Sequence, residues 1–238
     1  MPSFIMRSTR LNRSLWIGFG VFAVLIWAFP NLDLAVSRLF FTPGAGFTLK
    51  GEPWERALYE SVPVLMVGVN LALIALWWFN RRTGRRWLNF DGRKLAFLLC
   101  LLLLMPGLIV NLGLKEHWGR ARPVTVIEFG GDKTFTPAFV LSDQEGGSFS
   151  SGHAAAAAYV VAAAAILAGR GSLWVWLALV YALAVGLARL VSGGHFLSDV
   201  LTSLFLMWIG YRLLSWVFFP DTRATPTSAR TQSKDTSS

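Results

Sequence analysis

A chain of 238 residues that is 54% hydrophobic and only 15% charged carries too little polar surface for a soluble domain; ordinary globular chains hold roughly 25% charged residues. The apolar content excludes a disordered chain, and a lone cysteine, Cys100, excludes a disulfide scaffold. A net charge of +9 suggests nucleic acid only where the cations share a soluble face, so their placement relative to the apolar runs decides its meaning.

A helix that crosses a bilayer needs about 20 mostly apolar residues. Six stretches qualify in chain order: Leu15–Phe29, Val62–Phe79, Leu95–Leu114, Ala154–Ala168, Leu173–Val191 and Val200–Phe219. Pro63, Asn70 and Pro106 interrupt them. Arg7, Arg10 and Arg13 precede the first, as in a signal peptide, but no small-residue cleavage site follows Trp27-Ala28-Phe29-Pro30, which favours a retained anchor. The expected fold is therefore all-α, a polytopic six-helix membrane bundle over residues 1–221. A Ser/Thr-rich stretch over 222–238 reads as a disordered polar tail.

Cation placement orients the bundle. The amino-terminal arginines, the run Arg81, Arg82, Arg85, Arg86, Arg93 and Lys94, then Arg170, and Arg223, Arg230 and Lys234 all fall on one side of a six-span layout. By the positive-inside tendency that side, with both termini, is cytoplasmic. Trp77, Trp78 and Trp87 suit an aromatic belt at that boundary. On the other side Glu52, Glu55, Glu60, Glu116, Glu128, Asp132, Asp143 and Glu145 offset the cations. The basic surplus is thus a topology signal, with the lipid bilayer as partner and no nucleic-acid footprint.

Three clusters emerge together on that outer side. Lys115 and Arg122-Pro123 follow the third span, joined by a short segment containing Gly119. Alone, such cations would simply reach for headgroups; held by a turn, they can clamp a phosphate, Arg122 in bidentate fashion. Ser150-Ser151-Gly152-His153 opens the Ala-rich fourth span. A serine N-cap explains part of it, but free amides at a helix start also favour an anion, and His153 stands beside them. Arg189, His195 and Asp199 bridge the fifth and sixth spans around Ser192-Gly193-Gly194. Four residues apart on a continuing helix, His195 and Asp199 would share a face, and a carboxylate on one ring nitrogen leaves the other free as a base or nucleophile. No Cys/His/carboxylate group has metal-ligand spacing and no Walker loop is present, so the implied chemistry is cofactor-free, metal-free attack on phosphorus.

These residues resemble the type 2 phosphatidic acid phosphatase superfamily, which is related to vanadium-dependent haloperoxidases. Its three motifs are Lys-x6-Arg-Pro, Pro-Ser-Gly-His and Ser-Arg-x5-His-x3-Asp. Lys115 to Arg122-Pro123 fits the first; Ser151-Gly152-His153 fits the second, with Ser150 in place of proline; Arg189, His195 and Asp199 fit the third, with Ala188 in place of serine. The segment Glu116–Pro123, with Phe129-Gly130-Gly131 and Phe135-Thr136-Pro137, resembles the bacterial lipid A phosphatase branch. Members acting on undecaprenyl diphosphate or phosphatidylglycerophosphate share the same core, and fold does not settle substrate.

The resemblance implies that His195 attacks phosphorus to form a phosphohistidine, with Asp199 orienting and stabilising it. His153 would protonate the leaving oxygen and later activate water. Lys115, Arg122, Arg189 and the amides of Ser151 and Gly152 would bind the phosphate. The expected activity is that of a lipid phosphomonoesterase acting on lipid A at the outer face of a bacterial inner membrane. An undecaprenyl diphosphate phosphatase or phosphatidylglycerophosphatase, a lipid phosphotransferase of the same family and, in another class, a transporter are the alternatives. The Asn31–Ser61 loop, with Leu39-Phe40-Phe41 and Trp54, is expected to pack over the bundle, and His117, Arg120 and Lys133 are candidates to select a headgroup.

Overall fold

The computed structural model describes residues 9–220; the expected polar tail, with Arg223, Arg230 and Lys234, lies outside the described residues, as does Arg7. Helices dominate: α1 (Thr9–Ala28), α2 (Leu32–Arg38), α3 (Pro53–Thr83), α4 (Gly92–Lys115), α5 (Gly152–Ala168), α6 (Leu173–Val191) and α7 (Leu197–Phe218). One two-stranded hairpin, β1 (Phe41–Thr42) against β2 (Gly46–Phe47), interrupts them between α2 and α3.

Among the described residues, α3, α4, α6 and α7 are long and apolar enough to cross a membrane. The first expected span becomes a bent pair, α1 turning by 87° into α2, and counts as a fifth if the pair is one span. The fourth expected span, α5, has 17 residues, or about 26 Å of rise against a hydrocarbon core of about 30 Å. Ser151 caps its start, its hydroxyl accepting the Ala154 amide at 3.4 Å, and Gly169 ends it. The shortness suits an interior helix: Ala154–Ala157, Tyr159, Ala162, Ala163 and Ala165 are buried, and small side chains let α3, α4, α6 and α7 approach its backbone.

Two departures from simple periodicity shape the end of the bundle where the three expected clusters lie. α3 begins at Pro53, nine residues before the expected Val62, because proline suits the first helical turn, where its missing N–H would have no partner. The expected Asn31–Ser61 loop is therefore α2, a hairpin and an extra two turns of helix. α4 begins as an ordinary helix, capped by the Asp91 side chain on the Lys94 amide at 2.9 Å, and widens into a π-helix from Leu103 to Lys115. Pro106 lies within that widened segment; it has no N–H to donate and its ring crowds the preceding turn. Asn111 reaches back to the Pro106 carbonyl at 2.7 Å, five residues away. The interrupting Asn70 is also accounted for, since it accepts the Tyr159 hydroxyl at 2.8 Å and donates to the Met66 carbonyl.

The main core joins Leu73, Phe97, Leu98, Leu101, Met105, Tyr159 and Met207. A second, smaller core caps the end that carries the three clusters: Leu34 and Phe47 meet Ala121, Val126, Phe129 and Phe196, with Phe40 and Phe41 packed beside them. Leu39 and Trp54 remain exposed. Arg81, Arg82, Arg85, Arg86, Arg93 and Lys94 lie at the other end of the bundle, at the close of α3 and the start of α4.

Candidate active site

His195 lies in the turn between α6 and α7, two residues ahead of the helix, and is 4% exposed. Its Nδ1 is 2.7 Å from the Ser148 carbonyl. A carbonyl only accepts, so Nδ1 carries the proton and Nε2 holds a lone pair. This corrects the expectation of a direct bond from His195 to Asp199 along a helix. Asp199 is in α7, but its Oδ2 is 3.8 Å from Nδ1, an electrostatic neighbour and not a hydrogen-bond partner. That oxygen accepts the Ser148 hydroxyl at 2.6 Å and the Phe196 amide at 2.8 Å, half of a capping box that starts α7. Burial pushes the His195 pKa down; Asp199 opposes this, and Arg189 and Arg122 add to it.

Arg189 and Arg122 act on this ring, and the other expected phosphate-binding groups lie close by. Gly147 brings its backbone against both cations of the first cluster: a Cβ there would touch Lys115 Cε at 3.5 Å and Arg122 Nη2 at 3.6 Å. Arg189 comes from the last turn of α6, and its guanidinium lies across Gly194 so closely that any side chain at Gly194 would collide with it. Gly152 is likewise required: a Cβ would lie 2.6 Å from Asn111 Oδ1, which the π-helical turn presents. The Ser151 amide, expected to bind phosphate, is directed at the Asp199 carbonyl at 3.4 Å, and the residue is fully buried. Among the described residues, the Gly152 and His153 amides at the start of α5 have no backbone hydrogen-bond partner.

His153 opens α5 just ahead of the apolar run that begins at Ala154. Burial first, then the charges of Arg189, His195, Lys115 and Arg122, lower its pKa from the ordinary 6.5 to about 4. Charged groups from all three clusters therefore act on this one ring. Two further residues belong to it, both on the added turns of α3. Tyr59 stacks on His153 with ring centres 4.3 Å apart and 17° between planes, and Arg189 sits over the same tyrosine at 4.8 Å. Buried Glu55 pairs with Arg189 at 3.5 Å and also accepts the Gly51 amide.

Arg120 does not face a headgroup. It is fully buried, and its guanidinium bonds Asp199 Oδ1 (2.5 Å), Asp33 Oδ2 (2.8 Å), the Ser198 hydroxyl (2.8 Å) and the Thr136 carbonyl (2.8 Å). His117 is exposed at the end of α4, its Nδ1 donating to the Leu112 and Gly113 carbonyls. Lys133 donates to the Glu145 carbonyl. Ser150, where the family motif has proline, is buried, and among the described residues its hydroxyl has no hydrogen-bond partner. Ala188 is buried in α6, and its carbonyl accepts the Ser192 hydroxyl at 2.8 Å.

Residues 93–223, just over half of the chain, match the PAP2 superfamily. The chain belongs to the PAP2 superfamily. Among its relatives, a lipid A 4'-phosphatase of Francisella tularensis subsp. novicida is 40% identical over 131 residues, covering 51% of this chain and 59% of that protein. That match spans less than two thirds of the Francisella protein. Lipid A 4'-phosphatases of Rhizobium etli and Rhizobium leguminosarum are each 32% identical, over 221 and 214 residues. They cover 76% and 78% of this chain, and 81% and 86% of their own lengths. No solved structure matches the chain.

All three PAP2 motif positions fall within the matched region, whereas Asp33, Glu55 and Tyr59 precede it. Sequence reasoning missed those three for different reasons. Glu55 and Tyr59 sat on a stretch read as loop; the Pro53 helix-start signal could have placed them one turn apart on a common face. Asp33 is 165 residues from the Ser198 it bonds, and no local pattern reports such a contact.

Proposed function

We propose that the chain is a metal-independent membrane phosphatase that removes a phosphate from lipid A through a phosphohistidine. The observation that carries the chemistry is the single free ring nitrogen: Nδ1 of His195 is committed to the Ser148 carbonyl, and Arg122 and Arg189 act on the same buried ring. The named activity of the three relatives supports lipid A as the substrate.

Lys115, Arg122 and Arg189 bind the non-bridging oxygens, helped by the Gly152 and His153 amides. Nε2 of His195 attacks phosphorus, the P–O bond to the lipid breaks, and His153 passes its proton to the departing oxygen. The imidazole then carries a positive charge near Asp199. Water then attacks phosphorus as His153 takes its proton, and the N–P bond breaks with its electron pair returning to Nε2, which releases phosphate and restores the neutral ring. Prearranged donors of this kind contribute roughly 2.7–4 kcal/mol each to a transition state, and a proton donor about 10²–10⁴-fold. Burial and four neighbours hold His153 neutral; an arriving phosphate dianion supplies the negative charge that lets it take up the proton it must donate.

In the bilayer, the reading has six spans, both termini cytoplasmic, and the site facing the periplasm of a bacterial inner membrane. The surplus of cations at the end opposite the site supports this orientation. A lipid then keeps its chains in the hydrocarbon while its phosphate enters beneath the Phe41–Phe47 hairpin.

The test is phosphate release by detergent-solubilised protein in the presence of chelator. Lipid A, undecaprenyl diphosphate, phosphatidylglycerophosphate and phosphatidic acid are offered in turn, with His195→Ala as control. Release from lipid A that disappears in the variant is expected. Preference for another lipid overturns the substrate, and release that survives in the variant overturns the nucleophile.

A further inference from the structure

On the Nδ1 side of His195 lies a sealed unit of three charges. Asp33, Arg120 and Asp199 are each 0–1% exposed. They come from α2, the loop after α4, and α7. Arg120 Nη1 bonds Asp199 and the Ser198 hydroxyl, and Nη2 bonds Asp33. The Ser198 hydroxyl accepts from Arg120, so it donates its own proton to Asp33, at 2.5 Å; the Ser198 amide donates to the other oxygen at 2.9 Å. Every partner of Asp33 is a donor, and so is every close partner of Asp199. Burial, with the Asp199 charge, pushes the Asp33 pKa up, and Arg120 and the Ser198 hydrogen bond oppose that push; an all-donor shell favours the ionised form of both carboxylates.

The count of charges matters. An Arg120–Asp199 pair alone would be neutral, and a neutral pair offers little to the positive charge that forms on the imidazole when Nε2 bonds phosphorus. Two carboxylates against one guanidinium leave one net negative charge, 3.8 Å from Nδ1 of His195 at its nearest oxygen. In a site closed to water that charge is weakly screened. The other groups acting on the ring are Arg189 from α6, Arg122 from the loop after α4 and His153 from α5. None of them supplies negative charge.

Resting on the phosphohistidine reading above, we propose that Arg120 and Asp33 are positioning residues for phosphoryl transfer. Arg120 fixes the Asp199 carboxylate in place. Asp33 cancels the guanidinium charge, so that the unit keeps one negative charge for the phosphorylated His195 ring. A plain tether joining α2, the loop and α7 would need the same bonds but not this charge balance.

Charge balance can be read without substrate. The chain has three histidines, so full-length protein labelled with ¹⁵N-histidine, assigned through His117→Gln and His153→Gln, reports the His195 titration directly. Asp33→Asn should move that titration down by about one pH unit. It should also lower kcat for phosphate release by about 10–100-fold, with KM changed by less than about twofold; Asp33→Glu should recover part of both. The double variant Asp33→Asn/Arg120→Met restores one net negative charge, and its titration should return toward wild type with a kcat above that of Asp33→Asn. If Asp33→Asn does not fold, the double variant is compared with wild type instead. A double variant that folds with its His195 titration displaced and kcat down more than about 100-fold overturns the proposal. So does an Asp33→Asn protein that melts earlier but keeps the wild-type titration and kcat, which would leave only a tether. A His195→Ala protein that still releases phosphate strikes the nucleophile reading instead, and the titration distinguishes the two failures.

Discussion

His195 stands between two regions built on opposite terms. Behind it, Asp33, Arg120, Asp199, Ser148 and Ser198 are sealed from solvent, and every charge is met by a fixed partner. In front, Lys115 and Arg122 are part-exposed, Arg189 has a single carboxylate partner at 3.5 Å, and cations outnumber anions. The rear is complete as it stands; the front is left short of negative charge. A phosphate is the natural complement to that shortage, and ordering the rear in advance means that little reorganisation remains for the moment of reaction.

That contrast can be broken most severely at its centre. His195→Ala should lower phosphate release by about 10⁴-fold or more, with a detergent-phase melting temperature near wild type, because a small neutral residue leaves the Asp199–Arg120 contacts intact. At the front, Arg122→Ala should lower kcat/KM by about 10²–10³-fold. Arg122→Lys should recover only part of it, since an ammonium lacks the two-pronged geometry. The loop between the regions is tested by Gly152→Ala, whose new methyl would lie 2.6 Å from Asn111 Oδ1. It should cost roughly 1–3 kcal/mol of stability, and Asn111→Ala in the same chain should recover a measurable share. A Gly152→Ala protein with unchanged melting would remove the close-packing argument.

pH separates the two regions by a smaller margin. His153 is held at about 4 in the folded protein against an ordinary 6.5, with burial the main cause. Between those values the unfolded chain binds a proton that the folded one does not, so stability should be full above about pH 6.5 and fall as pH drops toward 4. Melting of His153→Gln should show a shallower decline over that window. The smallest effect belongs to Tyr59→Leu. Losing one stacked ring, worth about 0.5–1.5 kcal/mol, should reduce turnover by several-fold, and an unchanged rate would make Tyr59 a bystander to His153.

The same division governs what could be read from residue order. Six apolar runs announced a membrane bundle, and four of them appear as long apolar helices. The first bends at Phe29-Pro30-Asn31, where proline blocks continuation, and the fourth is shorter than a bilayer because its capping serine and closing glycine lie 18 residues apart. At the site, Lys115, Arg122, His153, Arg189 and His195 were all legible, since cations and imidazoles at helix mouths stand out against apolar sequence. The misreadings concern partners. Four-residue spacing promised a His195–Asp199 bond, but His195 precedes the helix and bonds Ser148 instead. Arg120 looked like one more surface cation until Asp33 and Asp199 enclosed it.

Sequence alone therefore determined the apolar surroundings this protein folds in, the end of the bundle where its candidate reactive groups gather, and their chemical type. Those properties depend on composition and on short-range spacing, which a linear chain displays openly. Only the tertiary structure decided which ring nitrogen is free, which amides remain available, and how the charge behind His195 is balanced. Each of those rests on contacts between segments tens to more than a hundred residues apart, such as Ser148 with His195 and Asp33 with Ser198. A buried charge takes its meaning from its neighbours, and sequence order does not report who those neighbours are.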